Sequence, residues 1–103
     1  MNDKENVIHI CKECSDDRKK QIQSDIENII TKCRKAYNLK NEVFFKVSFA
    51  DDKMTEHKWV KVTKMDVDSF TGTLDNVPLK LKNYTVGDTT TRAFTEIEDY
   101  ICT

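Results

Sequence analysis

The hydrophobic positions of residues 16–37 follow the repeat of an α-helix. Apolar side chains recur there at intervals of three and four residues, which places them on one stripe of a helix surface. This stripe consists of Ile22, Ile26, Ile29, Ile30, Cys33 and Tyr37. Ser15 is a good N-cap, and Asn38 is suited to a left-handed stop. The pattern predicts one amphipathic helix over about residues 16–37.

From Glu42 onward the pattern changes to the two-residue alternation of β-strands. The first strand alternates Val43, Phe45, Val47 and Phe49 with Phe44, Lys46 and Ser48. Further short strands, separated by turn-like sequences, predict an antiparallel sheet over about residues 42–96. Gly72 inside one strand indicates a bulge or a close backbone approach. We therefore predict an α+β fold, in which one N-terminal amphipathic helix packs on a bent, partly barrel-like antiparallel sheet.

Length and composition fit a single globular domain covering residues 1–103. The chain has 103 residues, which is close to the commonest domain size. Its two glycines and one proline, together with five Phe, three Tyr and one Trp, argue against disorder. Seventeen basic and eighteen acidic residues give a net charge of −1. Because a nucleic-acid site needs a basic surplus, no nucleic-acid partner is expected.

The chain start predicts a cytoplasmic protein. It lacks the basic beginning and the apolar run of about 7–15 residues that mark a signal peptide. No window approaches the roughly 18 apolar residues of a membrane span, so no membrane association is expected. The cysteines, Cys11, Cys14, Cys33 and Cys102, would then be reduced.

The segment from His9 to Cys14 contains metal-ligating residue types. His9, Cys11 and Cys14 have spacings that could bring an imidazole and two thiolates to one zinc ion. The second half of such a site is missing, because Cys33 lies on the apolar helix stripe and Cys102 at the chain end. We expect neither a metal nor a cofactor, and a redox or metal role for Cys11 and Cys14 stays open.

Glu56, His57 and Trp59 form the second candidate cluster. A carboxylate and an imidazole suit acid–base chemistry, but adjacent residues of a strand point to opposite faces. If Val60 and Val62 face the core, His57 and Trp59 lie on the other face. Trp59 is then either a binding anchor on that face or a packing residue inside a barrel-like sheet.

Several short segments, in one order and spacing, carry a family resemblance. They are Glu56-His57-Lys58-Trp59-Val60, Phe70-Thr71-Gly72-Thr73-Leu74, Asn76-Val77-Pro78, Val86-Gly87-Asp88 and Ile97-Glu98-Asp99-Tyr100. Over about residues 43–100 the chain resembles the YegJ-like family of uncharacterised bacterial proteins, domain of unknown function 2314. Tyr100 stands where that family usually has Trp. The resemblance implies a small bacterial α+β domain and supplies no catalytic or binding residue.

The polar motif positions and the single Trp give the candidate binding site. It comprises Glu56, His57, Trp59, Asn76 and Asp99. We predict a non-catalytic module that binds an unknown protein partner, with an inhibitor or immunity protein as one form of it. The alternative is a small hydrolase-like enzyme that uses His57 with Glu56 or Asp99. Neither the partner nor the oligomeric state follows from the sequence.

Overall fold

Two helices precede the sheet in the computed structural model, which describes residues 17–50, 55–75 and 85–102. Residues 17–24 form α1, and α2 comprises Ile26–Asn38. The single predicted helix is therefore interrupted at Asp25, whose φ of −120° and ψ of 21° are not helical. The Ser24 hydroxyl donates to the Gln21 carbonyl, and the Asp25 carboxylate accepts from the Asn28 side chain. Such local side-chain hydrogen bonds compete with the backbone hydrogen bonds of a continuous helix.

The predicted apolar stripe is the buried face of both helices. Ile22 of α1 and Ile29, Cys33 and Ala36 of α2 are buried, while Ile26, Ile30 and Tyr37 pack partly against the core. The helix does not stop at a left-handed Asn38, which is still helical. The left-handed residue is Lys40, with φ 65°. The backbone N–H groups of Leu39 and Lys40 bond back to the Lys35 and Tyr37 carbonyls and end the helix.

In the described part of the chain, five antiparallel strands form one open sheet. They are β1 (Val43–Ala50), β2 (Thr55–Met65), β3 (Ser69–Leu74), β4 (Thr89–Ala93) and β5 (Asp99–Cys102), in the spatial order β4-β3-β2-β1-β5. The strands therefore continue beyond the predicted limit at residue 96. A 3₁₀ turn, Phe94–Glu96, lies between β4 at one edge and β5 at the other. The α+β prediction is confirmed; the described sheet is not closed into a barrel, so the words 'partly barrel-like' describe it only loosely.

Alternate residues of the strands make the core on the face that packs against the helices. Phe45 is fully buried and contacts Phe70 edge to face, with ring centroids 4.8 Å apart. Phe94 of the 3₁₀ turn stacks on the other side of Phe70 at 6.3 Å. Gln23 of α1 donates hydrogen bonds to the Phe94 and Ile97 carbonyls, both at 2.9 Å. These contacts join the helices to the segment that leads into β5.

The irregular point of the sheet lies between β2 and β3. The register shifts between Val62 and Lys64, and Gly72 pairs with Val62 at this shift. A Cβ at Gly72 would lie 2.4 Å from the Lys61 carbonyl oxygen, so the prediction of a close backbone approach at Gly72 is confirmed. Within the described residues, no helix has the length and apolar character needed to cross a bilayer.

Candidate functional site

The sheet has one face toward the helices and a second face that carries most of the predicted site. Cross-strand pairing on this second face joins Ser48 to His57, Lys46 to Trp59 and to Asp99, and Phe44 to Ile101. In the described part of the chain both helices pack on the opposite face. We call this surface the helix-free face; it comprises Phe44, Lys46, Ser48, His57, Trp59, Lys61, Asp99 and Ile101.

His57 is held by a buried carboxylate. Its Nδ1 lies 2.6 Å from Oε1 of Glu98, and the Glu98 side chain is only 8% exposed, against 39% for His57. With Glu98 ionised, its carboxylate can only accept, and the donor of this hydrogen bond is Nδ1–H of His57. The Glu98 backbone N–H donates to the Lys46 carbonyl at 2.8 Å, which fixes the carboxylate relative to β1. The imidazole is thus oriented, and Nε2 is the nitrogen it offers to a ligand.

Aromatic and aliphatic side chains share the helix-free face with this imidazole. The Lys46 ammonium lies 6.0 Å from the centroid of the half-buried Trp59 ring, within cation–π range. Phe44 is half-buried, and its cross-strand partner Ile101 is 50% exposed. The helix-free face therefore combines an apolar patch with charged and hydrogen-bonding groups around it.

Two ion pairs lie at the margins of this face. Asp99 accepts from Arg18 of α1, with Nη2 and Oδ1 3.0 Å apart. Lys61 pairs with Glu42 at 2.8 Å, and this hydrogen bond raises the pKa of Lys61 above its ordinary value. Both pairs are partly solvent-exposed, so each contributes little to the stability of the fold.

The structure brings together three of the five predicted site residues. His57, Trp59 and Asp99 share the helix-free face, and the predicted burial of Val60 and Val62 on the other face is confirmed. Glu56 lies opposite Phe49 on the face toward the helices, where it pairs with Lys58 at 3.4 Å. Asn76 lies outside the described residues, as do His9, Cys11 and Cys14.

Sequence reasoning missed Glu98 and Lys46 as site residues. Glu98 belongs to the Ile97-Glu98-Asp99-Tyr100 motif, so a signal was present. Its role depends on the pairing of β5 with β1, which no local pattern reveals. In the part of the chain that the structure describes, no three His, Cys, Asp or Glu side chains are grouped closely enough to hold a metal ion.

Two clefts are formed by described residues. One, of about 470 Å³, is at the end of α2 and is lined by Tyr37, Asn38, Lys40, Asn41, Glu42, Lys61 and Val62. The other, of about 320 Å³, lies at the break between the helices and is lined by residues 23–28. Neither of these two clefts is lined by His57 or Trp59.

The pairing of His57 with Glu98 predicts a measurable coupling between the two side chains. We expect His57→Ala to destabilise the protein by about 1–3 kcal/mol, because it removes the partner of a buried carboxylate. Urea unfolding of His57→Ala, Glu98→Gln and the double variant should give a coupling energy above about 0.5 kcal/mol.

The exposed Lys61–Glu42 pair is the matched control for this cycle. Its distance is similar, at 2.8 Å, but its side chains are 46% and 64% exposed. The same double-mutant cycle on Lys61 and Glu42 should give no measurable coupling. Equal coupling in the two pairs would contradict the special position of Glu98.

Comparison with known proteins identifies the family. Searches among curated proteins and among solved structures find no match. The sequence model of one family, described as an uncharacterised protein conserved in bacteria (DUF2314), matches residues 5–103. This match confirms the domain of unknown function that the ordered motifs resemble, without the narrower YegJ-like label. The chain therefore belongs to the DUF2314 family of uncharacterised proteins conserved in bacteria.

Proposed function

We propose that the protein is a non-catalytic module that binds another protein through its helix-free face. The observation that carries the proposal is the apolar patch of Phe44, Trp59 and Ile101 on the face that also carries the imidazole of His57. Apolar surface rimmed by polar groups is typical of protein-binding sites. Trp and aromatic neighbours supply large contact areas at a low cost in side-chain entropy.

The charges on the face favour a partner with both apolar and acidic groups. Asp99 and Lys61 are engaged with Arg18 and Glu42, and the Glu98 carboxylate with His57. The Lys46 ammonium lies over the Trp59 ring, where a partner carboxylate could approach it. We infer a partner segment that places an apolar side chain against Phe44 and Ile101 and a carboxylate against Lys46.

Charge reversal on the two faces tests this proposal. Lys46→Glu places a like charge opposite the expected carboxylate, whereas Lys20→Glu makes the same change on the exposed surface of α1. Immobilised wild-type and variant proteins are incubated with extract of the native host, and retained proteins are quantified by mass spectrometry. We expect Lys46→Glu to weaken retention of the specific partner at least about tenfold and Lys20→Glu to leave it unchanged.

The outcomes of this comparison are distinct. Equal retention by the Lys46→Glu and wild-type proteins would overturn the assignment of the face, as would equal losses with both variants.

The inhibitor or immunity form of the proposal has its own test. If the captured partner is an enzyme, its activity should fall on addition of the wild-type protein and recover with Lys46→Glu.

The 2.6 Å contact between His57 and Glu98 favours a second candidate, hydrolysis with His57 as general base. In this mechanism the carboxylate that orients His57 is Glu98, rather than Glu56 or Asp99. Ser48 is the cross-strand partner of His57. A panel of activated esters tests it. Turnover that His57→Gln abolishes, with the fold intact by circular dichroism, would favour the enzyme over the binding module.

A further inference from the structure

Two cysteines that are far apart in the sequence meet where α2 packs on β5. Cys33 of α2 is fully buried, and the half-buried Cys102 of β5 packs against the same core. A second contact also joins α2 to β5 beside the cysteines. The ammonium of Lys32, which precedes Cys33, lies 5.7 Å from the centroid of the Tyr100 ring, two residues before Cys102. Cys102 pairs with the buried Val43 of β1, which places it on the core side of the edge strand.

The two side chains are free thiols that pack into the same core. Both cysteines are free in this structure, with Cys33 buried in the core between α2 and the sheet and Cys102 packed against that core. Burial, with smaller contributions from the hydrogen bond and charge of Cys102, raises the pKa of the Cys33 thiol well above its usual range. The resting pair therefore consists of one deeply protected thiol and one that is more accessible.

We propose that Cys33 and Cys102 are a disulfide-forming pair that fastens β5 to α2 when the protein meets a small disulfide oxidant. The Cys102 thiolate attacks one sulfur of oxidised glutathione, forms a mixed disulfide and releases one glutathione thiolate. The Cys33 thiolate then attacks the sulfur of Cys102 and releases the second glutathione, and the protons of both cysteines pass to solvent and the leaving thiolates. Two protein thiols are oxidised and one glutathione disulfide is reduced to two thiols.

The position of the pair gives the disulfide a structural effect. It would close a loop of about 70 residues, which strongly restricts the unfolded chain. It would also anchor β5, a four-residue edge strand that pairs with β1 alone in the described sheet. This inference does not depend on the proposed function.

The order of the two steps predicts a dependence on pH. Cys102 reacts first because it is partly exposed. The second step, formation of the Cys33–Cys102 disulfide, requires ionisation of the buried Cys33. Since the pKa of Cys33 is raised, its thiolate fraction increases throughout the neutral and mildly alkaline range. The rate of closure should therefore rise about tenfold for each pH unit between about pH 7 and 9.

The experiment uses the full chain with Cys11→Ser and Cys14→Ser, so that only Cys33 and Cys102 remain. This protein is incubated with oxidised glutathione and followed by intact mass and peptide mapping. We expect a transient glutathione adduct on Cys102, then a product lighter than the starting protein by two hydrogen atoms, with Cys33 linked to Cys102. The melting temperature of this product should exceed that of the reduced protein by at least about 5 °C.

Cys102→Ser in the same background is the deciding variant, because Cys102 is only half-buried and its loss leaves the core side chains in place. This variant should form no internal disulfide and should retain a free, protected Cys33 in the native state. Oxidation that stops at the glutathione adduct would overturn the pairing. A linked product that melts at or below the temperature of the reduced protein would overturn the fastening role.

Discussion

Gly72→Ala is expected to destabilise the protein by about 3 kcal/mol or more, enough to unfold a large fraction of so small a domain. The added Cβ would lie 2.4 Å from the Lys61 carbonyl oxygen and 2.4 Å from Cγ1 of Val60. The first of these is a backbone atom of the central strand β2, and it cannot move without disturbing the pairing on both sides. The clash falls beside the register shift, where the two chains already approach closely.

Gly87→Ala is the matched control for this prediction. Gly87 has a φ of +93°, and a Cβ built there meets no atom within 4 Å. Its replacement therefore costs only backbone strain, about 1 kcal/mol. Urea unfolding of the two variants separates steric overlap from conformational preference. A larger loss for Gly87→Ala than for Gly72→Ala would contradict the close approach of β2 and β3.

The sequence was sufficient for those parts of the fold that local periodicity determines. The helical stripe from Ile22 to Tyr37 and the alternation from Val43 to Phe49 each place one face toward a common core, and the structure buries these faces. The same alternation assigned His57 and Trp59 to the face opposite Val60 and Val62. A period of 3.6 or 2 is a property of neighbouring residues, so it can be read without knowing the rest of the chain.

Other features depend on contacts between distant residues and could not be predicted from local patterns. The break at Asp25 lies two residues after Gln23, whose side chain donates hydrogen bonds to the Phe94 and Ile97 carbonyls. The strand β5 is only four residues long, and it is defined by its pairing with β1. Because Glu98 acquires its partner through that pairing, the sequence presented it only as part of the Ile97-Glu98-Asp99-Tyr100 segment and not as the group that orients His57.

Trp59→Ala is expected to weaken partner binding by about 30-fold or more, the loss typical of a central aromatic anchor. The Trp59 ring lies on the helix-free face beneath the Lys46 ammonium, on the same face as Phe44 and the oriented His57. Removing it deletes the largest apolar side chain of the patch and also the cation–π contact of Lys46. Because the ring is only half-buried, the stability cost should be about 1–2 kcal/mol.

Phe45→Ala provides the comparison from the opposite face of the same sheet. Phe45 is fully buried and pairs with Val60, so its truncation should cost about 3–5 kcal/mol, well above the loss expected for Trp59→Ala. The measurements are the melting temperature of each variant and the affinity for the captured partner. Trp59→Phe should recover most of the binding, since it restores an aromatic surface. If Trp59→Ala unfolds the protein as readily as Phe45→Ala does, the ring is a core residue, and His57 and Asp99 remain the site residues to test on that face.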